Sequence, residues 1–594
     1  MSDLNFRLDL RAPERRRIVV SLELDVACLE LQSDASVDGI DFFLPTWTPG
    51  SYLIREYARH LGPVGATDAE SGHELAVAKT TKNRYRVRRT RELRRLRLDY
   101  WVYAHELTVR TADVTAEHAY WNHACVLLWP LGHKHLTANV QVELPTHWKL
   151  AGGVPTTTLR DGVVSYELPD LDSAIDAPIL AGTFTTLEVD ARGIRHVLAI
   201  DGVDGARIDP KFTTDVRTVI ERAADVFDGT LPYSHYTFLC LFADSGYGGL
   251  EHANSTTLLT PRTSLGGGKG YQEFLGLLAH ELFHAWNVKR MRPVELWNYD
   301  YEVENLTPML WLAEGWTAYY DDLICRRAHL LSVEEYLAVV AKNMTALWAG
   351  MGRFRQSLAE SSFDAWIRYY RPDENTRNST QNYYGNGALA AMVLDLTIRR
   401  ASNGARCLDD ALRSLYRETY SANRGYRIDD VERCLAQAAD CDLSMLLSSL
   451  TRGPLDPDFA SLLADFGVRV EPIDRDRPYL GFGLESGTTK VANVSDDSPA
   501  FAGGIAPGDE ILALNELRVS NERWADLVRS VAIVNKPLRV LVATRGVVRE
   551  RVITPMEMPN LGVRLALERD VTEHVVSLRT SWLGTDAPAK QSTS

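Results

Sequence analysis

No stretch of the 594-residue sequence reaches the roughly 18 uninterrupted apolar residues that a membrane-crossing helix needs, so no membrane partner is expected. Positive charge is also short, with 65 lysines and arginines against 79 aspartates and glutamates, a formal net charge of −14. That balance gives no overall attraction for phosphate backbones, which argues against a nucleic-acid partner. The one basic run, Arg84 to Arg97, alternates with Tyr85, Val87, Leu93 and Leu96 and reads as strands with one solvated face. Cysteine is sparse: seven residues, at positions 28, 125, 240, 325, 407, 434 and 441, without Cys-x-x-Cys spacing. This odd, unpatterned set indicates neither a disulfide scaffold nor a cysteine zinc site, and a reducing compartment fits it. Residues Met1 to Arg11 lack the apolar core of a signal peptide, so a cytoplasmic location is expected. A phosphate loop is missing too. Ser264-Leu-Gly-Gly-Gly-Lys-Gly270 lacks the required spacing, and Tyr271 follows where a metal-binding hydroxyl would stand; the stretch reads as a flexible lead into the next helix.

What the sequence does have is length, beyond what one hydrophobic core serves, and an ordinary soluble composition of 45% hydrophobic and 24% charged residues. Three to five domains are expected. Between Phe274 and Trp286 the apolar residues recur with a helical period, and inside that run stands Leu277-Leu-Ala-His280-Glu281-Leu-Phe-His284. At 3.6 residues per turn, His280 and His284 fall one above the other on the same face. Zinc takes neutral nitrogen donors about 2 Å away in tetrahedral array, and imidazoles at i and i+4 are already aimed at one point. Glu281 is placed to take a proton from water. The plainer alternative is a surface helix with two solvated histidines. Against it, Leu277, Leu278, Leu282, Phe283 and Trp286 argue for a buried helix, whose histidines need a partner.

A second helix is expected over Trp311-Leu-Ala-Glu314-Gly-Trp-Thr-Ala-Tyr-Tyr320, opened by Thr307 as N-cap and Pro308 at the first helical position. Glu314 is the one acidic residue in that apolar run. An ionised carboxylate there is costly unless a cation compensates it, which makes Glu314 a candidate third metal ligand. An exposed carboxylate, or a partner of Arg290 or Arg292, is the alternative.

These two stretches, His280-Glu281-Leu-Phe-His284-Ala-Trp-Asn-Val-Lys-Arg290-Met-Arg-Pro293 and Leu312-Ala-Glu314-Gly-Trp-Thr-Ala-Tyr-Tyr320, resemble the glycyl aminopeptidase family of metallopeptidases, family M61, relatives of the aminopeptidase N family. Trp47-Thr-Pro-Gly50-Ser-Tyr-Leu-Ile-Arg55 matches the N-terminal signature of that family. By its own chemistry Pro49-Gly50 is a turn, which the aromatic and arginine residues brace; contact with substrate is the alternative. In Gly246-Tyr-Gly248-Gly249-Leu-Glu251-His-Ala-Asn254 the glycines let an extended backbone approach a ligand closely. Left to its own pattern this is a glycine-rich turn with an incidental Glu-His. The resemblance gives Glu251 the role of holding the free α-ammonium of a substrate, with Gly248 and Gly249 beside it. In Asn382-Tyr-Tyr384-Gly-Asn386-Gly387 it gives Tyr384 the oxyanion; a core tyrosine at a helix start is the alternative. Asn386 departs from the pattern, standing where the family has lysine.

The expected fold is α+β and multidomain. Alternating runs such as Ile18–Leu24, Ala138–Leu144 and Tyr103–Arg110 give an antiparallel β domain over residues 1–182, in which His105 and Glu106 are not spaced as a metal motif. Mixed strands and helices follow over 183–331, a thermolysin-like zinc domain by resemblance. Helical periodicity fills 332–468. Residues 469–556 resemble a PDZ domain whose Leu480-Gly481-Phe482 loop would hold a C-terminal peptide carboxylate, and 557–594 is an extension with a tail that frays from about Gly584.

The resulting expectation is an aminopeptidase acting on peptides with a free N-terminus, one Zn2+ per chain on His280, His284 and Glu314, Glu281 as general base and Tyr384 on the oxyanion. The resemblance implies a preference for N-terminal glycine and alanine. A zinc metalloendopeptidase, or a PDZ peptide-binding scaffold with a degenerate peptidase, are the alternatives; oligomeric state is not legible.

Overall fold

The computed structural model describes residues 2–29, 39–473, 477–559 and 562–585. The tail past residue 585 therefore lies outside the described residues. Two compact units emerge, residues 1–305 with 416–426, and residues 306–415 with 427–594. Among the described residues no helix is long and apolar enough to cross a membrane, and all seven cysteines are free.

The first unit begins with an eight-stranded sheet and two four-stranded sheets. Strand Arg17–Asp25 shows why they form: Ile18, Val20, Leu22 and Leu24 point one way and are almost wholly buried, while alternate positions face outward. The strand pairs antiparallel with Arg95–Tyr103. The basic run behaves as expected, with Val87, Leu96 and Leu98 buried and Arg86 and Arg97 paired to Asp41 and Asp99 on the wet face. Two expectations are corrected. The large sheet is not wholly antiparallel, because Leu4–Asp9 runs parallel to Ala138–Glu143. Residues 104–110 are not a strand: the Thr111 hydroxyl donates to the Glu106 carbonyl at 2.6 Å and the Arg110 N–H to the Thr108 hydroxyl at 3.1 Å, local bonds that turn the chain.

The same unit holds a five-stranded sheet in the order Thr185–Ala191, Ile194–Asp201, Tyr236–Ala243, Ser255–Pro261, Gly248–Glu251. Its three central strands are parallel, and helix Lys211–Asp225 makes the first crossover. Gly248–Glu251 is an edge strand, antiparallel to its single neighbour. Helix Gly268–Phe283 begins six residues earlier than its apolar period announces, inside the expected flexible lead. Packing overrides glycine's poor propensity there: Phe274 stacks on Phe212 at 5.9 Å, and the Tyr271 hydroxyl donates to Asp215 at 2.8 Å.

The second unit is mainly helical. The expected single helix is divided into Leu310–Ala313 and Gly315–Arg327, with Glu314 at the joint and neither Thr307 nor Pro308 opening it. Val333–Ala349 starts in a Ser332/Glu335 capping box, and Gly385–Ala401 is buried along most of its length. Helix Glu573–Leu583 is fastened by buried Trp582 and by Arg326, which donates to the Leu583 carbonyl at 3.0 Å. Strands Val468–Ile473 and Gly562–Leu567 pair antiparallel, and the chain between them forms a small module. The module has its own core of Leu480, Val491, Ile505, Ile511, Leu538, Val540 and Val542 beneath a four-stranded sheet and helix Trp524–Val531.

Candidate active site

Helix Gly268–Phe283 is buried on most sides, which fixes where its polar residues point. The rings of His280 and His284 lie 4.7 Å apart and edge to face at 84°, one turn apart on the same face as the spacing requires. His284 is 1% exposed, and its Nδ1 faces the Asn287 carbonyl at 2.6 Å. A carbonyl can only accept, so Nδ1 carries the proton and Nε2 keeps the lone pair that a metal requires. This histidine pair fits zinc by donor chemistry and by rigidity.

Glu281 lies under the edge strand. A Cβ built on Gly249 would stand 2.1 Å from its Oε1, so the strand backbone rests on the carboxylate and only glycine permits that approach. Gly248 has open space where a side chain would begin. Glu251, at the end of the strand, is 3% exposed, and its Oε1 has no hydrogen-bond partner among the described residues. Ligand-type atoms of Glu251, Glu281 and His284 lie within 4.8 Å of one another. Two carboxylates and an imidazole thus converge on one point of the first unit. A buried carboxylate oxygen without a donor calls for a cationic ligand.

Residues to which no role at this strand was assigned hold it in place. Asp176 pairs with Lys289 Nζ at 2.5 Å and with His252 Nδ1 at 3.3 Å, and accepts the Ala253 N–H at 2.8 Å. Burial alone would raise the Asp176 pKa, but the Lys289 and His252 charges outweigh it and hold the carboxyl well below the usual range. Arg290 donates to the Ala253 and Ala285 carbonyls, and Arg292 lies over Trp297 and Tyr299. The Pro49-Gly50 turn, expected to be braced rather than to touch substrate, packs against Glu251: a Cβ on Gly50 would stand 2.2 Å from the Glu251 Oε2. No sequence signal links the two residues.

In the second unit, Glu314 is 2% exposed, so the exposed-carboxylate alternative falls. Gly315 beside it meets Gly387 backbone to backbone, a Cβ on Gly315 falling 2.6 Å from the Gly387 Cα. Tyr384 precedes helix Gly385–Ala401, its ring stacked on Tyr383 at 4.8 Å and Tyr369 at 5.4 Å, with the Tyr370 hydroxyl 3.4 Å from its own. Burial, then the Glu314 charge, push the Tyr384 pKa well above 10, so the phenol stays protonated and able to donate. The capping at this helix start falls to Asn382, whose Oδ1 accepts the Tyr384 and Gly385 N–H groups at 2.9 and 3.3 Å. Asn386, in place of the family lysine, is buried and donates to Gln381 Oε1 at 3.3 Å, a neutral answer to a site where an ammonium would need a counter-charge.

A histidine pair with an adjacent glutamate thus lies under a glycine-rich sheet edge. Residues 5–183 match the Peptidase M61 N-terminal domain and residues 273–390 match M61 glycyl aminopeptidase. The chain thus carries both the N-terminal and the catalytic domain of the M61 peptidases. Among solved structures it is similar to an aminopeptidase N family protein from Idiomarina loihiensis at 28% identity and a TM-score of 0.89, covering 98% of this chain and 100% of that one. An M1 zinc metallopeptidase from Deinococcus radiodurans aligns at 15% identity and a TM-score of 0.46, covering 76% of this chain and 94% of that one. A mutant of an M1 zinc metallopeptidase from Deinococcus radiodurans bound to Tyr-Ser-Ala aligns at 17% identity, a TM-score of 0.46 and the same two coverages. No curated protein matches the chain.

Proposed function

We propose that this peptidase is a zinc aminopeptidase that removes small N-terminal residues, glycine and alanine, from peptides with a free α-amine. His280, His284 and Glu314 would hold the ion. When bound, zinc supplies a Lewis acid that polarises the scissile carbonyl and acidifies water. Glu281, pinned beneath Gly249, takes the proton of the attacking water and delivers it to the leaving amine. Tyr384, kept protonated by its surroundings, donates to the carbonyl oxygen as it gains charge. Glu251 receives the α-ammonium and thereby sets which peptide bond reaches Glu281.

The observation that carries this reading is the buried, donor-free Oε1 of Glu251 beside Glu281 and His284. A metalloendopeptidase would have no use for it. Elemental analysis should find one zinc per chain in wild type and loss of it in Glu314→Ala. Alanyl and glycyl chromogenic amides should be hydrolysed while their N-acetylated forms are not. Equal hydrolysis of the blocked forms would establish an endopeptidase instead.

The module between residues 473 and 562 supports a PDZ reading with a C-terminal peptide ligand. Gly481 has φ +85° and its carbonyl accepts the Ser495 N–H at 2.8 Å and the Ser498 hydroxyl at 3.3 Å, bonds that fix the Leu480–Phe482 loop, which in this reading would receive the carboxylate. Titration with peptides differing only in a free or amidated C-terminus tests it.

A further inference from the structure

We propose that the buried turn Thr48–Ser51 is the stop that limits this chain to removing one residue at a time, with Gly50 as the specificity-determining position; this rests on the aminopeptidase reading above. The Ser51 N–H donates to the Thr48 carbonyl at 3.1 Å, Pro49 occupies the second turn position and Gly50, at φ +82°, the third. Any side chain at position 50 would begin 2.2 and 2.6 Å from the two oxygens of Glu251. The peptide backbone of the turn is therefore in direct contact with the carboxylate, a proximity that the absence of a Cβ allows.

A wall works only if it does not yield. Residues 46–52 are buried throughout. Thr46 N–H donates to the Tyr301 carbonyl at 2.8 Å, Trp47 Nε1 to the Asp300 carbonyl at 2.8 Å, Asn122 to the Thr48 hydroxyl at 3.3 Å and Arg55 to the Ser51 hydroxyl at 2.8 Å. The turn is thus anchored before, within and after Gly50. From the same N-terminal region Arg110 reaches the Gly249 carbonyl at 3.5 Å, tying the edge strand that carries Glu251 to the same framework.

The chemical consequence is a size limit on the amine. A carboxylate facing a rigid backbone accepts a primary ammonium, which carries only hydrogens besides its α-carbon, and rejects further substituents on nitrogen even when the charge is retained. A further residue on the amine would have to pass through the turn. The limit is steric as well as electrostatic, which separates it from charge capture alone.

The test uses the intact protein and p-nitroanilides of glycine, N-methylglycine, N,N-dimethylglycine and N-acetylglycine. The two methylated amines remain cationic at pH 7. Expected is a fall in kcat/KM of at least tenfold for the first methyl and at least 100-fold for the second. A dimethylated substrate turned over within threefold of the glycine substrate, with the acetylated one inert, overturns the wall and leaves the aminopeptidase reading standing. Acetylated and free substrates cleaved alike, or no cleavage of any of them, overturns both. In addition, Gly50→Ala should raise KM for the glycine substrate at least tenfold with kcat and zinc content near wild type. A folded, zinc-loaded Gly50→Ala with unchanged KM also overturns the proposal.

Discussion

The two units present chemically active residues in opposite ways. In the first, the charged groups are shaped by what surrounds them: Gly249 lies on Glu281, Gly50 lies on Glu251, and the space around each carboxylate is set by missing side chains. In the second, Tyr384 is shaped by what it touches, a pile of Tyr369, Tyr370 and Tyr383 at a helix start closed by Asn382. In the proposed roles, the contrast teaches that a proton carrier and an ammonium holder need exact room, whereas a neutral donor needs a protonation state and a direction.

That comparison can be broken at four points. The largest effect is expected at Glu281→Gln, which keeps the shape under Gly249 and removes the proposed base: kcat should fall about 10³-fold or more, with zinc content and melting temperature unchanged. Asp176→Asn comes next. It leaves the buried Lys289 ammonium, 2.5 Å away, without its counter-charge, and about 3–5 kcal/mol of stability should be lost in chemical denaturation. Tyr384→Phe keeps the ring stack and deletes the donor, so kcat should drop roughly 100-fold while KM stays within a factor of three. The smallest effect is a pH dependence in the first unit. His118 sits between Asp201 and Asp113, at 2.5 and 3.0 Å. Burial lowers its pKa, but the hydrogen bonds to Asp113 and then Asp201 prevail and raise it to about 9. Because the folded value lies above the unfolded one, the stabilisation is complete below pH about 6.5 and is lost as pH rises towards 9. A loss on the order of 2 kcal/mol between those limits, abolished in His118→Gln, is the expected record.

Much of this was legible because it is local. His280 and His284 announce themselves through a helical period, and the apolar residues around them predict a buried helix. The strand character of Arg17–Asp25 follows from alternation alone. What could not be read is what depends on distant pairing. Alternation does not distinguish parallel from antiparallel neighbours, so the Leu4–Asp9 and Ala138–Glu143 pairing was out of reach. Residues 104–110 alternate like a strand, yet threonine hydroxyls capture their backbone groups. The early start of the His280 helix needed Phe212 and Asp215 from another helix. Gly50 looked like any turn glycine, because its meaning lies in Glu251, on a strand far along the chain. Lys289 and Asp176 likewise acquire their role only from each other.

The paired strands Val468–Ile473 and Gly562–Leu567 bring the entrance and exit of the small C-terminal module side by side. A folded cassette joined to its host at two neighbouring points needs no rerouting of the host chain when it is added, exchanged or removed. Genetic replacement of the whole cassette by a tight hairpin turn is therefore a natural engineering route, and the ladder between the two strands is the seam along which to cut.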